Sequence, residues 1–274
     1  MRRGGENHSQ ETKLQDLIHE LHKVDSRIDD NTLKEIVAFG SQAVPYLENI
    51  LRQALQKSSN INVKTPQGDK DWFVVIHALY LLAELRSEDS LGLVLEFLSQ
   101  KQDVLDYWLH ELLDEDVWET LFFLGQNRLD ELQTFVLDQS NNVFSRLAVC
   151  TALVQIGLHD SSKMSQITEI FKQVLTLKDE DSDFSGLLVS ELLDLKDEAL
   201  KPALLEAIEQ NDVWEGIITV EEVNSIYENK RTRKLEPLNI FERYWLFRQY
   251  TNFTATSPTE LSKKVKKQNF QKQF

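Results

Sequence analysis

Six histidines, one cysteine and a surplus of carboxylates are the groups in this 274-residue sequence that could do chemistry. His19-Glu20 and His110-Glu111 place an imidazole beside a carboxylate, the ligand types that hold zinc or iron. His19 and His22 are three apart, so a helix presents both on one face. Two ligands do not close a site, and no further His, Cys or Glu follows at matching spacing. Cys150 is the only cysteine, which excludes an intramolecular disulfide and a thiolate zinc site of the usual kind. Cys150 and His77 both sit in apolar segments. Their expected states are a small buried hydrophobe and a hydrogen-bonded core histidine. Trp108, Trp118, Asp114 and Asp116 are the residue types of a cleft that grips a nucleobase, yet the segment from Asp103 to Asp116 is acidic and repels phosphate backbones. No Gly-rich phosphate loop, nucleophile elbow or Cys/His nucleophile signature occurs. No catalytic, metal-binding or cofactor-binding residue is therefore assigned.

Binding is the better use of these residues. The formal net charge of −15 disfavours nucleic acid as a partner. Asp103, Asp106, Glu111, Asp114 and Glu115, interleaved with Tyr107, Trp108 and Trp118, would attract a basic protein and offer it aromatic anchors. The charge is uneven. From Glu228 to Phe274 there are eleven Lys/Arg against four Asp/Glu, so an acidic body carries a basic end. Such a chain either binds itself or sends its tail to an acidic partner. Within that end, Ile240 to Phe253 packs aromatics and arginine closely, with Tyr244 and Trp245 at its centre. Three outcomes fit this segment: docking on the body, binding a partner, or lying on a membrane surface. Lys263, Lys264, Lys266, Lys267 and Lys272 continue as a basic tail.

The elements that position these residues follow from an internal repeat. One apolar column reads Ile36, Leu79, Leu121, Leu153 and Val189; three residues on, a second reads Phe39, Leu82, Leu124, Ile156 and Leu192. The next position reads Gly40, Ala83, Gly125 and Gly157 before departing to Leu193. Steps of 43, 42, 32 and 36 residues are the period of stacked helix pairs of the HEAT type. Apolar positions three and four apart share a helix face, and a small residue ends the first helix and lets the chain turn. A second stripe follows each corner, as in Leu47, Ile50, Leu51 and Ala54, or Ile167, Ile170, Phe171 and Val174. Pro45 and Pro202 suit a first helical turn.

These observations predict an all-α, HEAT-like α-solenoid, an α–α superhelix of about five pairs. Helices near 12–25 and 219–229 cap its ends, and an extra short helix lies within 103–114. The expected organisation is a disordered stretch 1–10, a repeat domain 11–228, an aromatic and basic segment 229–254, and a disordered tail 255–274. Residues 58–70 read as a polar loop. The opening residues lack the apolar core of a secretion signal, and the longest apolar run, Trp72 to Ala83, is too short for a bilayer, so the cytoplasm is the expected compartment.

The turn Gly40-Ser-Gln-Ala-Val-Pro-Tyr-Leu47 is similar to the turns of HEAT-like repeats named after phycobilisome lyases. The stretches Asp71 to Leu85 and Leu187 to Leu200, the latter running on to Ile217–Val223, resemble a bacterial HEAT-like family of unknown function, over roughly residues 30–228. Some members of that family end in a Cys-rich zinc motif, which this chain lacks after Cys150. The resemblance implies a fold and no activity. Three functions follow as expectations: a non-catalytic scaffold or adaptor with an acidic curved face for a basic protein; a chaperone-like or phycobilin-lyase-like protein for a pigment or client; and a His/Glu metal-dependent enzyme. For the last, deoxyhypusine hydroxylases carry four ordered His-Glu motifs where this chain has two. HEAT-like DNA glycosylases would require a basic concave face.

Overall fold

A computed structural model describes residues 3–58, 73–110, 112–177, 182–209, 218–229 and 232–253, and no strand occurs among them. The helices are α1 (Arg3–Leu21), α2 (Asp30–Ala38), α3 (Val44–Ser58), α4 (Phe73–Glu84), α5 (Leu91–Leu98), α6 (Gln102–Leu109), α7 (Leu112–Glu115) and α8 (Val117–Gly125). They continue as α9 (Leu129–Leu137), α10 (Val143–His159), α11 (Met164–Thr176), α12 (Ser182–Leu192), α13 (Lys201–Glu209), α14 (Val220–Glu228) and α15 (Ile240–Phe253). None of them is long and apolar enough to cross a membrane.

The helix types follow from local signals. Asp29 caps α2 by accepting from the Asn31 amide at 2.7 Å, and Asn142 caps α10 through the amides of Phe144 and Ser145. Thr219 and Glu222 form a reciprocal capping box at the start of α14. Pro45 and Pro202 both fall in first helical turns. Two boundaries differ from the expectation. α1 begins at Arg3, inside the stretch read as disordered, because the polar run from Glu6 to Lys13 contains no proline and several good helix formers. The extra helix is two pieces, α6 and α7, with His110 between them at a φ of 50°. The basic tail and most of the predicted polar loop lie outside the described residues.

The first helices of successive pairs lie side by side: α2 on α4, α4 on α8, α8 on α10 and α10 on α12. Beside them run the second helices, α3 on α5, α9 on α11 and α11 on α13. Between the rows lies the core. Ile36, Leu79, Leu121, Leu153 and Val189 are all buried, as are Leu82, Leu124, Ile156 and Leu192 of the second column. Each such side chain stabilises the fold by roughly 1.5–3 kcal/mol relative to an exposed one.

The recurring small residue has two different physical jobs, and behind Ala83 another residue makes the turn. Gly40 adopts a φ of +57°, the left-handed turn expected of a corner glycine. Gly125 and Gly157 stay helical, and what they supply is space. A Cβ on Gly125 would stand 2.6 Å from Leu132 Cδ1, and one on Gly157 3.3 Å from Ile167 Cδ1. Behind Ala83 the left-handed residue is Arg86, at a φ of 53°. There the Ser87 amide reaches the Leu82 carbonyl and the Arg86 amide that of Ala83, both at 3.1 Å, closing a Schellman turn without glycine.

α4 is buried on every side from Phe73 to Ala83. An all-round apolar helix needs cover on all its faces. α3, α8 and α6 supply most of it, and α1, α2 and α15 complete it. The longest apolar run of the chain is thus the central core helix.

Candidate functional site

The residues predicted for partner binding separate into two groups. Asp103, Asp106 and Glu115 are exposed on α6 and α7, with Asp106 Oδ1 accepting from Gln102 Nε2 at 2.5 Å. Tyr107 is half-buried and edge-on to Trp108. Trp108 is buried and its indole N–H faces Ser58 Oγ at 3.4 Å; Trp118 is buried against Phe122. Tyr244 is buried as well, whereas Trp245 is 55% exposed on the outer side of α15. Glu111 and the side chain of Asp114 lie outside the described residues. The structure therefore keeps the described acids in water and takes Trp108, Trp118 and Tyr244, but not Trp245, into the core, where large rings gain most from leaving water.

His19 and His22 come within 6.4 Å ring to ring. Among the described residues no three His, Cys, Asp or Glu side chains gather as a metal site would require. Cys150 is fully buried, and burial pushes its thiol pKa up, so it stays protonated. His77 is a satisfied core histidine. Its Nε2 faces the Val24 carbonyl at 3.1 Å and must carry the proton, leaving Nδ1 to accept from the Tyr244 hydroxyl. Burial lowers its pKa to about 4.

The basic end docks on the acidic body. Residues 232–239 run extended along the first-helix row, held by side chains that mimic a backbone neighbour. Gln155 donates to the Arg233 carbonyl at 3.2 Å and accepts from the Leu235 amide at 2.8 Å. His159 Nε2 donates to the Leu235 carbonyl at 2.7 Å. Glu119 accepts from the Leu238 amide at 3.2 Å, and Glu84 from the Ile240 amide at 3.0 Å, which places an anion at the N-terminus of α15.

α15 then delivers Arg243 into the body. Its guanidinium pairs with both Asp116 and Glu119, and all three side chains are at most 15% exposed. Tyr80 hydroxyl points at Asp116 from 3.5 Å. Burial raises the pKa of both carboxylates against the pull of Arg243, and at Glu119 the neighbouring Asp116 adds to the rise. Burial also works against the Arg243 charge, but Asp116, Tyr80 and Glu119 outweigh it and hold the guanidinium protonated. Arg248 bonds the Ile28 carbonyl at 2.9 Å and Asp30 at 2.7 Å. Arg233 approaches Asp194 at 3.9 Å, and burial nonetheless raises Asp194 to about 7. Three arginines of the basic end thus meet acids of the body.

Sequence reasoning missed this arrangement in its particulars. One signal was available: Glu119 interrupts the apolar run Val117 to Gly125, and a carboxylate inside such a helix requires a cation.

Among the described residues, fold and docked segment together define an all-helical protein with its own C-terminal strap packed on the body. The chain belongs to the family described as protein of unknown function DUF1186, whose model matches residues 12–252. That span covers nearly all of the predicted repeat domain and reaches beyond its C-terminal end to include the strap. Comparison with curated proteins and with solved structures gives no match.

Proposed function

We propose that this protein is a non-catalytic interaction scaffold, a HEAT-like solenoid whose second-helix row receives a basic protein partner. The observation that carries the proposal is the asymmetry of the two rows. The strap lies over the first-helix side and supplies cations to Asp30, Asp116, Glu119 and Asp194. On the second-helix side Glu96, Asp130 and Glu169 are exposed, one on each of α5, α9 and α11. In a solenoid of the usual curvature this row lines the long curved face, where a ladder of acids would speed encounter with a basic segment and fix its register. Asp103, Asp106 and Glu115 add further exposed acids on α6 and α7, which pack against α4, α8 and α10. The same reading places the protein in the cytoplasm. The pigment- or client-binding alternative needs an aromatic groove at Tyr107, Trp108 and Trp118, and gains no support, since both indoles are buried.

The test is affinity capture from a native lysate at about 50 mM and about 300 mM salt, where screening of exposed charges differs strongly. The full chain is compared with a Glu96→Lys/Glu169→Lys variant. Captured partners should diminish at the higher salt and with the variant. Equal recovery in all four arms would remove the electrostatic face from the proposal.

A further inference from the structure

A cleft of about 480 Å³ opens on the corner side of the second, third and fourth pairs. This is the size of cavity that holds a small organic ligand. Its residues come from three corners: Arg86 beyond α4, Phe122 and Phe123 near the end of α8, and His159 at the end of α10 with Lys163 just before α11. The strap borders it, because the Leu235 carbonyl takes the Nε2 proton of His159.

Arg86 is the anomaly. It occupies a left-handed backbone conformation where glycine is the default residue. Its guanidinium carbon lies over the Phe123 ring, 3.4 Å from the centroid. Acids outnumber bases 45 to 30 in this chain, and Arg128, Arg233, Arg243 and Arg248 each meet a carboxylate. Among the described residues no ion pair or side-chain hydrogen bond engages Arg86. Burial disfavours its charge, with the field of Glu84 as the opposing influence. Arg86 is an exposed cation at the mouth of the cleft, left without a protein anion in a chain rich in them, and so is open to an anion from outside.

The other groups restrict what that anion is. Lys163 is already paired with Asp160 at 3.3 Å, so it adds little free positive charge. Glu88, which accepts from Asn127 at 2.7 Å, and Asp160 both border the cleft and repel a polyanion. Phe122 and Ile156 form apolar wall, and the flat guanidinium offers its outer face for stacking. We infer that the cleft binds a small aromatic carboxylate, its single anionic group on Arg86 and its ring against the Phe122 side.

The experiment uses the full chain and an Arg86→Gly variant, with benzoate, cyclohexanecarboxylate and inorganic phosphate as probes. Binding is read by saturation-transfer NMR and by calorimetry. Glycine accepts this backbone conformation freely, so the variant keeps its fold, which an unchanged melting temperature or a higher one verifies. Benzoate should bind saturably with a Kd on the order of a millimolar, as one charge-assisted contact and one stacked ring supply. Arg86→Gly should weaken it at least roughly tenfold, the effect of losing a hydrogen bond to a charged group. Absence of saturable benzoate binding, or equal binding by the variant, overturns the site. Phosphate or cyclohexanecarboxylate binding as tightly as benzoate overturns the aromatic specificity.

Discussion

Arg243 stands between two carboxylates that have left water, so its removal costs more than the contact it makes. Replacing it with methionine leaves Asp116 and Glu119 buried without a cation, a loss of about 3–5 kcal/mol in unfolding free energy. The urea midpoint measures this, and adding Asp116→Asn and Glu119→Gln to the same chain should recover part of the loss. Asp194 gives a pH dependence of definite sign. Its folded pKa, about 7, exceeds the ordinary aspartate value of 3.8, so between these pH values the folded state holds a proton that the unfolded state has released. This contribution weakens stability as pH rises through that window and levels off above it. Asp194→Asn should therefore gain stability over wild type at pH about 8 and show little gain near pH 4, as denaturation midpoints at the two pH values would reveal. His77 acts at the other end. Its folded pKa, about 4, is below the usual 6.5, so its neutral buried form is penalised as acidification charges the unfolded state.

Helix corners obey a rule of space as much as of backbone conformation. Gly125→Ala drives a methyl into Leu132, and a packed corner that must shift for it loses about 1–3 kcal/mol. Gly92, inside α5, is the contrasting case. A Cβ there meets only Glu131 Oε2 at 3.8 Å, so Gly92→Ala should stabilise by about 0.5–1 kcal/mol through helix propensity alone. Thermal unfolding of the two variants should move in opposite directions. The Schellman turn at Arg86 belongs at this scale too. It shows a helix ending in the left-handed conformation without the glycine that would announce it.

Across the whole molecule, the acidic body and basic end meet at one buried contact, Arg243 with Asp116 and Glu119, and at two partly exposed ones, while acids such as Asp103, Asp106 and Glu96 stay in water. Salt distinguishes the two. Buried pairs such as Arg243 with Asp116 are screened little, whereas an exposed acidic row is screened within a Debye length, about 8–10 Å at ordinary ionic strength. Raising salt should thus leave the unfolding midpoint nearly unchanged while partner binding declines. Removing residues 230–274 should uncover α4, whose faces are apolar all round, and the truncated chain should bind an apolar dye and aggregate at concentrations where the full chain does not.

Much of the helical core could be read from local order. The columns through Ile36, Leu79, Leu121, Leu153 and Val189, and the stripes of the second helices, are periodic over a few residues, and helix periodicity is a local property. The charge imbalance also indicated that body and end are complementary. Sequence alone determined these elements and that complementarity. Only the tertiary structure decided which groups meet: Arg243 and Asp116 are 127 residues apart, and Arg248 and Asp30 are 218 apart. It also decided that Trp108, Trp118 and Tyr244 are core while Trp245 is not, since neighbouring aromatics on one helix look alike until the opposing surface is in place. The physical reason is that burial is a relation between distant segments, and spacing along the chain records only one side of it.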